Sequence, residues 1–154
     1  MSAWTFLYFY VVAAAAFLLV RFLLERKREA ALRDLAIRRG FTYLGDALPR
    51  SLTLHGTALG GATSIRNVIA ADRGAIRLVS FDCRLGSGKG NSRRTGLAAQ
   101  CPRDVLGVPR FTSYLTVERS GDWNIMYEPK TGTIFSSGLM PISEIEAHLD
   151  SIGR

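Results

Sequence analysis

Residues 4–20 run for 17 positions without a charge (WTFLYFYVVAAAAFLLV), and Arg21 is followed by three more apolar residues. At a helical rise of about 1.5 Å per residue, residues 4–20 and 4–24 reach about 25 and 31 Å, which brackets the roughly 30 Å hydrocarbon core of a bilayer. The core helix of a soluble domain would carry a polar stripe, and none interrupts this run. A cleaved leader would show a positive n-region, a shorter apolar run and small residues just before a cut. Here no basic side chain precedes Trp4, and the four alanines at 13–16 fall in mid-span. Residues 1–24 are therefore expected to form a transmembrane helix.

Charge orients it. Arg21 sits where an extended stem places the guanidinium among headgroups, and Trp4, Tyr8 and Tyr10 suit the opposite interface. No side-chain charge precedes Trp4, whereas Arg21, Arg26, Lys27, Arg28, Arg33, Arg38 and Arg39 follow the uncharged run. Basic flanks stay cytoplasmic, so the expectation is an N-terminus outside and the rest of the chain in the cytoplasm. Of the formal charge of +7, residues 21–40 hold +4. A positive excess beside a membrane span points to anionic lipid as a partner rather than to nucleic acid.

Residues 25–39 (ERKREAALRDLAIRR) are good helix formers, and Gly40 stands where a left-handed cap is expected, which predicts a basic juxtamembrane helix over 25–40. Leu24, Ala31, Leu32 and Leu35 share one side of it; Arg26, Lys27 and Arg28 are the bases placed to meet headgroups.

From residue 41 the pattern changes to short apolar runs broken by Gly, Pro, Asp and Asn, the punctuation of strands and turns. Strands are predicted at 41–44, 51–55, 64–71, 75–85, 94–99, 111–118, 123–128 and 133–136, with a hairpin turn at Asp72, Arg73 and Gly74. In the fourth of these Val79, Phe81, Cys83 and Leu85 share an apolar face, so Cys83 reads as a small buried hydrophobe. Trp123 reads as a core aromatic. A closing helix is predicted with Ser143 as N-cap, Glu146 completing a capping box, an apolar stripe of Ile145, Leu149 and Ile152, and Gly153 at its end. The fold class is thus α+β: a transmembrane helix continuing into a basic helix, then residues 41–154 as one cytoplasmic domain, an antiparallel sheet or partly closed barrel with a C-terminal helix.

Motifs for chemistry are sparse. Cys83 and Cys101 are the only cysteines, which leaves no disulfide framework and no thiolate metal site, and no cofactor or metal is expected. His55 and His148 lack partner motifs and read as surface or satisfied histidines. Residues 86–94 (GSGKGNSRR) suggest a phosphate loop, but Cys83 occupies the place of its first glycine and Gly90 that of its hydroxyl residue, and the sequence that follows is strand-like. What remains is a glycine-rich loop with Arg84, Lys89, Arg93 and Arg94 as candidate contacts for an anion.

The phrases RRGFTYLGDALP, NVIAADRG, FDCRLGSGKG, DWNIMYEP and MPISEIEAHL, set behind an N-terminal span, give the chain a resemblance to small bacterial single-pass membrane-anchored proteins of unknown function. That resemblance implies a bacterial inner-membrane setting and an α+β cytoplasmic domain, and carries over no catalytic residue. The expected function is a noncatalytic interaction module held at the membrane, binding a protein partner or anionic lipid. The alternative is an enzyme acting on a membrane-associated or anionic substrate, which a pocket gathering Asp82, Cys83, His55 or Arg94 within hydrogen-bond reach would favour. A third reading, an assembly subunit packing through the alanines at 13–16, rests on small residues alone.

Overall fold

Nothing in the sequence stops a helix between the apolar run and Gly40, and a single one forms. In a computed structural model of the chain, which describes residues 3–86, 92–100, 115–129 and 138–151, helix α1 (Ala3–Arg39) runs unbroken for 37 residues. That is about 55 Å at the usual rise. It ends as the glycine predicts: Gly40 adopts φ 68°, its N–H donates to the Ile37 carbonyl at 3.3 Å, and the Phe41 N–H donates to the Ala36 carbonyl at 2.8 Å. This paired closure satisfies carbonyls that the last turn leaves without helical partners.

Six strands follow, β1 (Thr42–Gly45), β2 (Ala62–Arg73), β3 (Ile76–Leu85), β4 (Ser92–Gln100), β5 (Thr116–Ser120) and β6 (Trp123–Tyr127), and then helix α2 (Ile142–Ser151). They form one sheet in the order β1-β2-β3-β4-β6-β5, with every neighbouring pair antiparallel. The sheet is open, with β1 and β5 at its edges, so the partly closed barrel is not what forms. The β2–β3 turn is shorter than expected: Arg73 pairs with Ile76, leaving Gly74 (φ 63°) and Ala75 as a two-residue connection. Residues 94–99 are indeed a strand and not the helix a phosphate loop requires.

Both faces of the sheet are covered, which is why its central strands are buried on both sides. On one face lie the C-terminal part of α1, through Leu32, Leu35 and Ala36, and α2, through Ile145 and Leu149, packed on Ile69, Leu78, Leu97 and Met126. On the other, Leu52, Leu54 and Leu59 cover Val68, Val79, Phe81, Cys83, Trp123 and Ile125. The leucines of this second layer come from the β1–β2 connection, so the strand expected at 51–55 is a correction: the segment is irregular chain between two turns, not a strand. Leu52 and Leu54 alternate as strand residues do, but the alternation serves to plug a sheet face. The Trp123 indole donates to the Ser51 carbonyl at 2.9 Å and pins the segment there. Gly96 allows the layer to close, because a Cβ at that position would lie 2.4 Å from the Phe81 ring.

At α2 the expected capping box is replaced. The N–H groups of Glu144 and Ile145 donate to the Pro141 carbonyl, so the helix begins one residue before Ser143. Glu146 turns instead to α1, accepting from Arg39 Nε at 2.7 Å, while Arg39 also reaches Asp150 at 3.1 Å. Lys89, Cys101, Ile152, Gly153, the strand expected at 133–136 and the first half of that at 111–118 lie outside the described residues.

His148, on α2, is 2% exposed, and burial pushes its pKa below the ordinary value against a smaller opposing pull from Glu144. Well above pH 6.5 the ring is neutral in both folded and unfolded chains and pH has no lever on it. Below that, the unfolded chain takes up the proton first, so stability falls with pH. Guanidinium unfolding in detergent micelles is expected to show a lower midpoint at pH 5.5 than at pH 7.5, with the gap narrowed in His148→Gln; an equal gap in the variant would assign the dependence elsewhere.

Candidate functional site

Three landmarks fix how α1 lies on the sheet. Arg28 meets Asp82 on β3, Glu25 meets Arg93 on β4, and Arg93 stands opposite Arg84 in the β3–β4 ladder. Moving toward the N-terminus of α1 therefore means moving toward the C-terminal end of β3. The sheet end that carries Arg84 and Arg93 is the end from which the apolar half of α1 projects. One turn beyond Glu25 is Arg21, and beyond that every large apolar side chain back to Trp4 is at least 47% exposed. The span has a mean hydropathy of 2.2 over its best 18 residues and is long and apolar enough to cross a membrane.

The joint between helix and sheet is a polar network buried in an otherwise apolar layer. Alternation along β3 puts Leu78, Ser80, Asp82 and Arg84 on the helix-facing side. Arg28 donates to both carboxylate oxygens of Asp82, from Nε at 2.7 Å and from an Nη at 2.8 Å, a bidentate pair with side chains 17% and 10% exposed. Asn67 Nδ2 and Thr95 Oγ1 also donate to Asp82, at 2.9 and 2.8 Å. Arg28 spends another N–H on the Met140 carbonyl at 3.0 Å, and Met140 N–H donates to Thr95 Oγ1, which ties the entry to α2 into the same knot. Asn67 sits at φ 56° within the β2 irregularity between Arg66 and Ile69; asparagine is among the residues that take this conformation at least cost. Its side-chain oxygen accepts from the Tyr43 hydroxyl at 3.1 Å, and burial raises the pKa of that phenol.

Beside this knot, between α1 and the β1–β2 edge, is a cleft of about 490 Å³. Leu24 and Leu139 form its apolar lip, and its charged wall carries Arg28, Arg33, Arg66 and Arg93 against Glu25, Glu29 and Asp46. Glu25 accepts from two arginines, Arg93 at 2.8 Å and Arg66 at 3.3 Å. Arg33 pairs with Glu29 at 2.7 Å while its guanidinium lies 4.9 Å from the centre of the Tyr43 ring.

The anion-contact residues expected from sequence are thus distributed unequally. Arg84 and Arg93 share the helix-facing side at the end of the sheet nearest the span, and Arg66 and Glu25 join them. Arg94, one residue on, faces the opposite side and lies 5.8 Å from the Tyr127 ring. Arg26 and Lys27 are exposed on α1, with Arg26 stacked 5.0 Å over Phe22, whereas Arg28 is committed to Asp82. Arg33, Arg66, Tyr43, Asn67 and Asp46 were not expected at a site. Of the four residues whose gathering would favour an enzyme, Asp82 faces the helices, Cys83 and Arg94 face the other way, and His55 is exposed in the β1–β2 connection. Burial, with Asp82 adding to it, pushes the Cys83 thiol up to about 11, so it is protonated at neutral pH. Among the described residues no group of His, Cys, Asp and Glu is placed to hold a metal ion.

The architecture is that of an α+β domain carried on a long apolar helix. The chain matches no family model, no curated protein and no solved structure.

Proposed function

We propose that this chain is a single-pass membrane-anchored, noncatalytic interaction module whose sheet domain works against the cytoplasmic face of a bacterial inner membrane, where it engages anionic lipid or a membrane protein partner. The observation that carries the reading is the continuity of α1: the same unbroken helix that exposes an apolar span is clamped to the sheet by Arg28 and Asp82. A domain fixed in this way cannot hang on a loose tether. Its Arg84 and Arg93 end is held within about two helical turns of the last apolar residues, at the depth of the headgroups. Arg26 and Lys27, the exposed bases of the juxtamembrane part of α1, lie at the same level. Each base near an anionic surface contributes about 1 kcal/mol, so this end of the domain is drawn to such a leaflet. The positive excess after the span supports the inward orientation. The alternative, an enzyme using Asp82, Cys83, His55 and Arg94, draws no support from side chains that lie on opposite faces of the sheet.

A photocrosslinking residue placed at Lys27 or at Arg84 in the full-length protein in its native membrane is expected to capture lipid or one discrete protein. The same residue at Asp122, in the exposed turn at the far end of the sheet, is expected to capture neither. Equal capture at all three positions, or none at the first two, would sink the reading.

A further inference from the structure

The cleft beside α1 is lined by charges of both signs, and the way they pair off is its most informative property. Within it, Arg33 is neutralised by Glu29, and Arg28 by Asp82 beneath. What is left over is one carboxylate, Glu25, shared by Arg66 and Arg93, which leaves these two arginines net positive, and Asp46, just past the end of β1. Asp46 is exposed and has no ion-pair partner among the described residues. A simple anion would be attracted to the two arginines and repelled by Asp46. A group carrying a phosphate at one end and a positive nitrogen at the other satisfies both. The lip, Leu24 and Leu139, adds an apolar edge, and Leu24 belongs to the last apolar turn of the span. The volume of about 490 Å³ lies within the range of sites for small molecules.

The nature of the nitrogen follows from Tyr43. A quaternary ammonium is held by open aromatic faces. Here Tyr43 is the one aromatic side chain among the lining residues, and the Arg33 guanidinium already lies 4.9 Å from the centre of its ring, so a caged ammonium would find too few faces. A primary ammonium needs oxygen acceptors instead, and the carboxylate of Asp46 supplies them. We propose that the cleft binds the headgroup of an aminophospholipid of the ethanolamine type, with the phosphate between Arg66 and Arg93, the ammonium at Asp46, and the start of the acyl region against Leu24 and Leu139. The proposal rests on the membrane-anchored reading and makes it specific: the outer bases attract the leaflet by charge, and the cleft selects one headgroup within it.

The test uses the full-length protein, delipidated in detergent and offered equal amounts of phosphatidylethanolamine, phosphatidylcholine and phosphatidylglycerol, with bound lipid counted by native mass spectrometry. Phosphatidylethanolamine is expected to be retained about tenfold over either rival, the scale of one charge-assisted hydrogen-bond group. Asp46→Asn is expected to erase the preference over phosphatidylglycerol, and Arg66→Ala with Arg93→Ala to lower retention of all three; Asp46 and Arg66 are exposed and Arg93 is half-buried, and a melting curve equal to the parent's establishes that the variants fold. Equal retention of phosphatidylethanolamine and phosphatidylcholine, or a preference over phosphatidylglycerol that Asp46→Asn leaves untouched, would overturn the assignment. Soluble phosphoethanolamine is expected to compete at least about tenfold more weakly than the lipid, since it forfeits the apolar lip; equal competition would overturn the lipid as the occupant. The anchor is read separately: parent and Asp46→Asn should both float with pure phosphatidylcholine vesicles, and failure to float would overturn the anchor while leaving the headgroup counts in detergent interpretable.

Discussion

Replacing Asp82 with alanine is expected to destabilise the full-length protein by about 3–5 kcal/mol, the usual cost of leaving one member of a buried ion pair behind. The stranded partner is Arg28, only 17% exposed, and Asn67 and Thr95 lose an acceptor at the same time. The break is also positional. Arg28 holds α1 to β3, and through the Met140 carbonyl it holds the approach to α2, so the helix should loosen from the sheet before the sheet itself unfolds. Guanidinium unfolding in micelles reads the loss of stability, and amide exchange reads the loosening as faster exchange at residues 28–36 with β3 and β4 nearly unchanged. Arg28→Met should produce a loss of similar size by stranding the carboxylate, whereas Arg28→Met combined with Asp82→Leu should recover most of it, because an apolar pair removes both desolvated charges. If either single variant melts within about 0.5 kcal/mol of the parent, a value typical of surface changes, the pair is not the clamp.

Arg28 also shows where reading along the chain stops being informative. Locally it is one base among Arg26, Lys27 and Arg28, and nothing in that triplet separates a headgroup contact from an internal one. The helical phase did hold a clue: Arg28 stands four and seven residues before Leu32 and Leu35, on the stripe that packs against the sheet. Likewise Asp82 is the one carboxylate within a strand of buried residues, and a buried acid requires a partner. What the chain does not disclose is that these two meet across 54 positions, or that Glu25 meets Arg66 and Arg93 across 41 and 68. Those meetings depend on the strand order and on the β2 irregularity at Asn67, both outcomes of packing.

By contrast, the strands from Ala62 to Gln100 and the hairpin between β2 and β3 were legible, because alternation and a glycine turn are local signals. The segment at 51–55 misled for the same reason, since Leu52 and Leu54 alternate in order to cover a face and pair with no strand. Ser143 misled because its sequence suits a cap that the helix does not use once Glu146 is drawn to Arg39.

A carboxylate at the middle of the apolar run should act on location and leave the domain intact. Val12 is the centre of residues 4–20, and it lies 16 positions from Arg28, the start of the clamp. Val12→Asp is expected to cost about 3 kcal/mol of insertion free energy, or about 150-fold in the partition between membrane and water. The substituted helix cannot shorten the cost by extending a long stem to the headgroups, as Arg21 can from the edge. Fractionation should therefore move the variant out of the carbonate-resistant membrane pool, while Arg21→Asp, a charge change at the boundary, should leave it there. Circular dichroism of the displaced protein should retain the sheet signal, since the span makes no contribution to either buried cluster. A Val12→Asp protein that stays carbonate-resistant would mean that the exposed apolar surface of α1 is covered by another protein and not by lipid, because a protein partner can offer the carboxylate a hydrogen bond that acyl chains lack.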